Sequence, residues 1–271
     1  MTSQPEATPR CASLSIAGIR VRLACSQDGL AQALAARYQD FLAEGEAQFT
    51  VQVKAGVPVG SRSVDPALTG CFKEGVFCFD HPSMKGEIDD RQDQGKLWVA
   101  SDFKIESIEY YLRVVYALLA FRMGGIMMHA AGILRNGKAY LFFGHSGAGK
   151  TTVARLSSQD VVLNDDLIIL LPEDGVWQAY GTPFWNPTQV RPSPRHAPLI
   201  GLYRLVQSKK VCLETLPASQ ALAELVANTP VLPEDPLRGG ELMLRLAALL
   251  KEIPAFRLFF LPDDTFWRLI A

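Results

Sequence analysis

The chain lacks an excess of charge of either sign. Its 271 residues contain 27 Lys and Arg against 28 Asp and Glu, which gives a net charge of −1. Domains that bind nucleic acid usually carry a basic excess, so this balance gives no reason to expect DNA, RNA or an anionic membrane as the main partner. Hydrophobic residues make up 48% of the chain and charged residues 20%, proportions typical of a folded globular protein.

Cysteines are few and none of them forms a C-x-x-C pair. Their number is odd and they are scattered through the chain, which favours neither a zinc site nor a disulfide framework. Free thiols are typical of proteins of the reducing cytoplasm. The five cysteines are Cys11, Cys25, Cys71, Cys78 and Cys212.

Long apolar runs without charge are also absent. The most apolar stretch, YYLRVVYALLAFRMGGIMM, is interrupted by Arg113 and Arg122, so it does not read as a membrane span. The first residues, MTSQPEATPR, lack the basic and then apolar pattern of a secretory signal. We therefore expect a cytoplasmic protein that does not enter a membrane.

What is present in the first third of the chain is strand-like alternation. SLSIAGIRVRLAC predicts two short strands around a turn at Ala17-Gly18, or one strand with a bulge. A helical pattern follows Asp28-Gly29, and residues 56–70 have the composition of a loop. Three further segments read as strands: FTVQVKA, VFCFD and KLWVAS. Residues 1–103 are predicted to form a small α+β domain that recognises a substrate or mediates assembly.

The rest of the chain, residues 104–271, is predicted to be a second domain with α/β character. Apolar residues from Ile105 to Leu119 recur at helical spacing, and Gly124-Gly125 ends that helix. Two apolar strands joined by an R-N-G turn then lead into a glycine-rich loop. A short helix, two strands around NDD, a proline-rich segment over 181–198, and alternating strands and helices complete the pattern.

The glycine-rich loop, GHSGAGKT, satisfies the pattern G-x-x-x-x-G-K-[ST] in full. Its glycines let backbone N–H groups surround an anion, Lys150 can reach the β- and γ-phosphates, and the Thr151 hydroxyl can ligate Mg²⁺. An apolar strand before the loop and a helix after it are the context that this motif requires. ATP and Mg²⁺ are therefore the expected cofactors. The predicted binding residues are Gly144, His145, Ser146, Gly147, Ala148, Gly149, Lys150, Thr151 and Thr152.

A pair of acids, Asp165 and Asp166, ends the apolar segment VVLNDD soon after this loop. Acids at the end of a strand suit the Walker-B role of holding Mg²⁺ opposite the phosphates. One acid can serve the metal while the other accepts the proton of an attacking hydroxyl, and their repulsion raises the pKa of one of them. Transport ATPases usually place this acid much further along the chain, which disfavours that class.

This order of motifs resembles the catalytic domain of HPr kinase/phosphorylase. The residues that carry the resemblance are MHAAGILRNGKAYLFFGHSGAGKTT and LNDD, within residues 126–170, and the ending IPAFRLFFLPDD is similar to HPr-kinase-related proteins of this length. The resemblance implies a P-loop kinase fold with a mixed sheet, related to ATP-dependent phosphoenolpyruvate carboxykinase. The small α+β domain would precede it.

Carried over by position, the resemblance assigns roles to five residues. His129 is implied to be the active-site histidine and Lys150 the phosphate-binding lysine. Thr151 is implied to bind Mg²⁺, Asp166 to deprotonate the acceptor serine, and Asp165 to support the metal or His129.

One feature of the family is missing. HPr kinases carry a downstream E-[VI]-R-G-L-G segment with a second metal-binding acid, and the comparable region here, RPSPRHAPLIGLYRL, has no such acid. This departure argues against HPr as the substrate and against a reverse phosphorylase activity. Arg191 and Arg195 could stabilise transferring charge, or could instead cap a proline-rich turn.

The sequence therefore predicts an ATP- and Mg²⁺-dependent kinase that phosphorylates a hydroxyl, with a serine of a peptide or protein as the expected acceptor. A ribosomal peptide precursor is one such acceptor, and a homo-oligomer is compatible with the family. Two alternatives stay open. A small-molecule kinase also has acids soon after the loop, although such enzymes usually begin at the loop and read D-x-D. The other alternative is a nucleotide-binding interaction module with little turnover.

Overall fold

The computed structural model describes residues 11–56, 70–81, 84–100, 105–185, 190–232, 235 and 237–270. The chain divides into two compact units, Met1–Val115 and Tyr116–Ala271. The division falls inside one helix, Ile105–Arg122, whereas the sequence patterns place a domain boundary just before that helix. Each unit is mixed in its secondary structure, and each contains a sheet with both parallel and antiparallel pairs.

The first unit is built on a seven-stranded sheet of order β1-β2-β3-β7-β6-β5-β4. The pairs β2–β3 and β3–β7 are parallel and the other pairs are antiparallel. Its elements are β1 (Cys11–Ile16), β2 (Ile19–Cys25), α1 (Asp28–Arg37), a 3₁₀ turn (Gln39–Phe41), β3 (Phe49–Ala55), β4 (Gly70–Lys73), β5 (Val76–His81), β6 (Met84–Asp89), β7 (Gln94–Val99) and the first part of α2 (Ile105–Arg122).

The predicted pair of strands around Ala17-Gly18 is confirmed, as are α1, β3, β5 and β7. Strands β4 and β6 were not predicted, because a glycine stands where an inward apolar side chain would mark the pattern. A Cβ on Gly86 of β6 would lie 2.2 Å from Cζ of Phe79, so the Phe79 ring occupies that space. Most of the loop predicted over 56–70 lies outside the described residues.

Four tight turns repeat one conformation in the two units. Each has positive φ at two consecutive residues of which the second is glycine, the type I′ geometry that matches the twist of paired strands. The Asn-Gly and Asp-Gly turns carry the usual sequence signal, whereas the other two place Ala or Glu at the first position. The turns are Ala17-Gly18, Glu74-Gly75, Asn136-Gly137 and Asp174-Gly175.

A buried ion cluster links α1 to α2 in the first unit. Glu109 of α2 is 4% exposed, and each of its carboxylate oxygens accepts a hydrogen bond from an arginine. Arg37 of α1 donates at 2.8 Å and Arg113, one turn further along α2, donates at 2.9 Å. The carboxylate is therefore buried but fully paired.

The second unit contains an eight-stranded sheet. Its strands are β8 (Ile126–Arg135), β9 (Lys138–Phe143), β10 (Val161–Asn164), β11 (Leu167–Glu173), β12 (Val176–Gly181), β13 (His196–Gln207), β14 (Cys212–Thr215) and β15 (Ala255–Phe260). Its helices, besides the end of α2, are α3 (Lys150–Leu156), α4 (Ala218–Ala227), α5 (Gly239–Glu252) and α6 (Trp267–Ile270), the last after a 3₁₀ turn (Asp264–Phe266).

The pairings in this sheet return to their starting strand. Strand β8 pairs with β11, β11 with β12, β12 with β13, β13 with β9, and β9 again with β8. Strand β10 pairs with β8 beside this ring, while β15 and β14 extend it from β13. The hairpin of β8 and β9, α3 and the strands around NDD are as predicted, whereas β12 was not predicted.

Aromatic packing fixes the strand and helix on either side of the glycine-rich loop. Phe142 of β9 stacks on Tyr203 at 5.4 Å and meets Trp267 edge to face at 5.7 Å. The Trp267 indole N–H donates to the hydroxyl of Ser157 at the end of α3. The loop therefore joins two elements that are held by the same core.

No helix within the described parts of the chain is long and apolar enough to cross a membrane. The apolar stretch that contains Arg113 and Arg122 is divided between α2 and β8 rather than forming one span.

Candidate functional site

One cavity of the second unit gathers the side chains that the sequence singled out. It has a volume of about 350 Å³ and opens beside the glycine-rich loop. All four predicted catalytic residues, His129, Lys150, Asp165 and Asp166, line it together with Thr151. The remaining lining residues are Ser146, Gly147, Gly149, Thr152 and Gln207.

The loop needs its glycines for backbone conformation and for close contact. Gly144, Gly147 and Gly149 all have positive φ, at 146°, 79° and 113°. A Cβ on Gly149 would also lie 2.5 Å from Cζ of Phe260, so a side chain there would collide with the end of β15. Positive φ costs other residues energy, which explains why glycine occupies these three positions.

Every backbone carbonyl from residue 144 to residue 147 already has a donor. Lys150 Nζ donates to the carbonyls of Gly144 and His145 at 2.9 and 3.3 Å. His145 Nδ1 lies 2.6 Å from the Ser146 carbonyl, which requires a proton on that nitrogen. Gln207 Nε2 donates to the Gly147 carbonyl at 2.8 Å. The carbonyls of the loop are thus occupied by donors of the protein itself.

The amides of the loop show the opposite state. Among the described residues, the N–H groups of Gly147, Gly149, Lys150 and Thr151 have no acceptor, whereas that of Ala148 donates to the His145 carbonyl at 3.1 Å. A concave run of free amides beside a lysine is an anion-binding arrangement. Of the other predicted loop residues, Ala148 is buried, and His145 is exposed and does not line the cavity.

Lys150 is the first residue of α3 and is only 8% exposed. Burial lowers the pKa of its ammonium group, and the nearby Asp166 and Asp165 oppose that shift. The buried ammonium group of Lys150 donates to two carbonyls and lies near two carboxylates. This position allows it to contact an anion in the cavity.

Asn164, which the sequence reading did not single out, fixes the turn that carries the acid pair. It is fully buried, and its Oδ1 accepts hydrogen bonds from the amides of Asp166 and Leu167 at 2.6 and 3.1 Å. Its Nδ2 donates to the carbonyls of Thr182 and Phe184 at 2.7 and 3.1 Å. The sequence signal was present as an Asn before the two acids, since Asn side chains commonly bond to the backbone two residues on.

Asp165 is 1% exposed, and no donor among the described residues meets either of its carboxylate oxygens in good hydrogen-bond geometry. Burial raises the pKa of its carboxyl group. The nearby Thr151 hydroxyl and Arg155 partly counter this rise, while Asp166 adds to it. A buried carboxylate without a partner is costly, and in native proteins such a group calls for an explanation by a ligand or an ion.

Asp166 is half-buried and reaches His129 across the strand pair β8–β11. His129 Nε2 lies 2.9 Å from Asp166 Oδ1. The backbones are tied as well, because the Ala130 amide donates to the Asp166 carbonyl at 2.9 Å and the His129 amide donates to the Asn228 carbonyl at 2.7 Å. The histidine and the second acid therefore form a pair at the open side of the cavity.

The acidic and hydroxyl side chains at the cavity suit a magnesium ion that keeps some of its water and phosphate ligands. They do not suit a metal that is held by protein side chains alone. No group of three or more His, Cys, Asp and Glu side chains within the described part of the chain could hold a metal by itself. Mg²⁺ typically takes one or two carboxylates and completes its shell with waters and substrate phosphates. Asp165, whose buried carboxylate lies beside the Thr151 hydroxyl, would provide such a partial site.

Two other arginines named from the sequence do not join this site. Arg191 and Arg195 are exposed and do not line the cavity. Gln207 does line the cavity. No sequence pattern marks this residue, because its position depends on strand register.

Fold and cavity together define a mixed α/β protein in which a glycine-rich loop faces one buried and one half-buried aspartate. A family model described as "SynChlorMet cassette protein ScmC" matches residues 94–230, just over half of the chain. The chain belongs to this family. Curated proteins gave no significant match.

Proposed function

We propose that the protein is a P-loop kinase of the HPr-kinase-like type, which uses ATP and Mg²⁺ to phosphorylate a hydroxyl group, with serine of a peptide or protein as the acceptor. One observation carries the proposal: a single cavity contains free loop amides, a buried lysine, an unpartnered buried carboxylate and a histidine–aspartate pair. Phosphoryl transfer depends mainly on positioning and on charge stabilisation, which are what these groups supply.

The loop and Lys150 account for the binding of the polyphosphate. The free N–H groups can donate to phosphate oxygens without losing other bonds, since they have no acceptor in the described part of the chain. Lys150 can exchange its two carbonyl contacts for a charged oxygen, which is a stronger acceptor. Its positive charge would then offset the charge that develops on the transferred group.

Asp165 and Thr151 are the residues that would hold Mg²⁺. The two unpartnered oxygens of Asp165 satisfy the chemistry of a hard cation, and the hydroxyl of Thr151 is its neighbour. A bound Mg²⁺ neutralises phosphate charge and orients the oxygens around phosphorus. In this assignment the cost of burying Asp165 is offset by the ion.

Asp166 is assigned the role of general base. One of its oxygens contacts His129 Nε2, and its side chain lies at the open part of the cavity, where an acceptor hydroxyl can approach. Asp166 would take the hydroxyl proton as the oxygen attacks the terminal phosphorus and ADP leaves. His129 would orient the Asp166 carboxylate through the 2.9 Å contact.

The choice of a peptide or protein hydroxyl rests on the resemblance to HPr kinase. The missing acidic segment speaks against HPr itself as the acceptor. Because the family description speaks of a cassette protein, products of genes adjacent to this one are the first acceptors to test.

The test is to incubate the purified chain with Mg²⁺, γ-labelled ATP and these candidate peptides, followed by mass spectrometry to locate a phosphorylated serine. Asp166→Asn should lower the transfer rate by at least about 10²-fold, the usual range for a general base. Asp174→Asn is the matched control, since it makes the same change at an exposed hairpin turn of the same unit.

Each other outcome points to a different function. ATP binding without a phosphorylated product would favour a nucleotide-binding interaction module, and transfer to small hydroxyl compounds alone would favour a small-molecule kinase. Equal transfer rates in Asp166→Asn and the unmodified protein would refute the assignment of the base.

A further inference from the structure

We infer that Gln207 is a positioning residue that holds the tip of the glycine loop in the shape that receives a polyphosphate. This inference rests on the proposed function, because it assigns Gln207 a part in nucleotide binding at the same cavity. Gln207 lies more than fifty residues beyond the loop in sequence, in a strand that carries no recognisable motif.

Strand register brings Gln207 to the loop. Strands β9 and β13 are parallel, with Tyr203 opposite Phe142 and Arg204 opposite Phe143. Strand β9 ends at Phe143 and turns into the loop, whereas β13 continues to Gln207. The end of β13 therefore runs alongside the loop.

The backbone of Gln207 is held on its other side by β15. Gln207 is opposite Phe260 in the parallel pair β13–β15, and the next amide, of Ser208, donates to the Phe260 carbonyl at 3.1 Å. Phe260 is also the residue whose ring occupies the space beside Gly149. Two adjacent strand ends thus bracket the loop, with Phe260 at Gly149 and Gln207 at Gly147.

The side chain of Gln207 contributes one contact to the loop, the hydrogen bond to the Gly147 carbonyl. Of the donors to the carbonyls of residues 144–147, Lys150, Ala148 and His145 belong to the loop and its helix, and among described residues Gln207 alone comes from elsewhere. Gly147 has no side chain, and among the described residues none except its own chain neighbours comes within 4 Å of the place where its Cβ would be. Without Gln207, its peptide would lose its one restraint from outside the loop.

The chemistry fixes how the Gln207 amide is oriented. A carbonyl can only accept, so the nitrogen of the carboxamide must face Gly147 O and its oxygen must point away. Only one of the two N–H groups is used by this contact, and Gln207 lines the cavity. A glutamate at this position would set an acceptor against an acceptor and add negative charge beside the phosphates.

The experiment is a titration of the full chain with a fluorescent ATP analogue and Mg²⁺, using three variants of Gln207. Gln207→Met keeps the length of the side chain and removes the donor, and should raise Kd about five- to tenfold, the value of one hydrogen bond. Gln207→Glu should raise it more than Gln207→Met does. Gln207→Lys supplies a donor again and should bind within about threefold of the unmodified protein.

The matched control is Gln159→Glu, which makes the same charge change at an exposed residue beyond the end of α3 and should leave Kd unchanged. Thermal unfolding gives a second readout that a merely structural role would not reproduce. The melting temperature without nucleotide should be the same in Gln207→Met and the unmodified protein, while the rise in melting temperature on adding Mg²⁺ and ATP should be smaller in the variant.

The outcomes separate this inference from the proposed function. If Gln207→Met binds as tightly as the unmodified protein, the positioning role is wrong, even when phosphoryl transfer is observed. If the variants weaken binding in the expected order but no acceptor is phosphorylated, the positioning role stands and the kinase proposal does not. If the unmodified protein binds no nucleotide, both are overturned.

Discussion

The two units bury a carboxylate in opposite ways. In the first unit, Glu109 is covered by the protein but each oxygen accepts a hydrogen bond from an arginine, Arg37 or Arg113. In the second unit, Asp165 is covered as completely, yet neither oxygen has a well-aligned hydrogen-bond donor among the described residues. A paired buried charge is explained by the fold alone, whereas an unpaired one calls for a further explanation, such as an ion, a water or a role in catalysis. The difference supports placing the proposed phosphoryl transfer in the second unit.

The comparison between Glu109 and Asp165 can be tested by substitution, and the largest expected effect is the loss of phosphoryl transfer in Asp165→Asn. If Asp165 holds the magnesium ion, the variant should lose at least about 10³-fold in rate, because metal-ion charge stabilisation is worth several kcal/mol. Initial rates at saturating ATP and Mg²⁺ provide the measurement. An unchanged rate would mean that the unpaired carboxylate has no part in the reaction.

The corresponding change in the first unit, Glu109→Gln, should act on stability instead. Removing the charge takes away the carboxylate contact of two partly buried arginines and leaves a buried site less well satisfied, which should cost about 1–3 kcal/mol in the free energy of unfolding. Urea denaturation followed by circular dichroism measures this loss. Glu44→Gln, at an exposed position of the same unit, is the control and should change stability by less than about 0.5 kcal/mol. If the two variants are equally stable, Glu109 is not the structural pair that the contacts indicate.

Without nucleotide and metal, Asp165→Asn should have the opposite effect on stability from Glu109→Gln. It removes a buried charge that no described residue satisfies with a well-aligned hydrogen bond, so the free energy of unfolding at pH 7 should rise by about 1 kcal/mol. The expected sign of the pH dependence follows from the pKa of Asp165, which burial raises in the folded state. The folded state therefore holds the proton more tightly than the unfolded state, and stability falls as the pH rises from the ordinary Asp pKa through the raised one.

Below about pH 4, near the ordinary pKa of Asp, both states are protonated and the advantage of the asparagine should vanish. Melting temperatures of the two proteins between pH 3.5 and 8 check this. If the difference in melting temperature between the two proteins stays constant from pH 3.5 to 8, ionisation of Asp165 does not cause the difference in their stability.

The smallest expected effect is a change in stability on substitution in the hairpin turns, which can be compared between the two units. Glu74 and Asn136 occupy the same first position of a type I′ turn, with φ of 51° in both. Asn tolerates this conformation better than Glu, so Glu74→Asn should stabilise by about 0.5 kcal/mol and Asn136→Ala should destabilise by a similar amount. Denaturation midpoints measure both changes, and a loss of stability in Glu74→Asn would contradict the turn assignment.

The sequence predicted the parts of the molecule that depend on local pattern. The hairpin before the loop, the loop itself and the helix after it follow from apolar periodicity and from glycines that positive φ requires. The acid pair was recognised because it directly follows an apolar strand. These are short-range features, and the structure brings the predicted side chains to one cavity.

What the sequence could not predict depends on register between distant strands. Gln207 reaches the loop only because β13 extends beyond the end of β9, its parallel neighbour. No local sequence signal indicates how far β13 extends. Strand β6 was not predicted, because Gly86 stands where the alternating pattern would have an apolar residue, and the Phe79 ring fills that space. The pairing state of Glu109 and Asp165 is equally invisible in the sequence, since both are ordinary acids until their neighbours are known.

The most direct test of the central claim is calorimetric titration of a non-hydrolysable ATP analogue into the unmodified protein and into Asp165→Asn, with Mg²⁺ and with EDTA. We predict that Mg²⁺ tightens binding to the unmodified protein at least about tenfold, and that this gain is lost in Asp165→Asn. An equal gain from Mg²⁺ in both proteins would contradict the claim that the unpaired carboxylate serves a metal–nucleotide site.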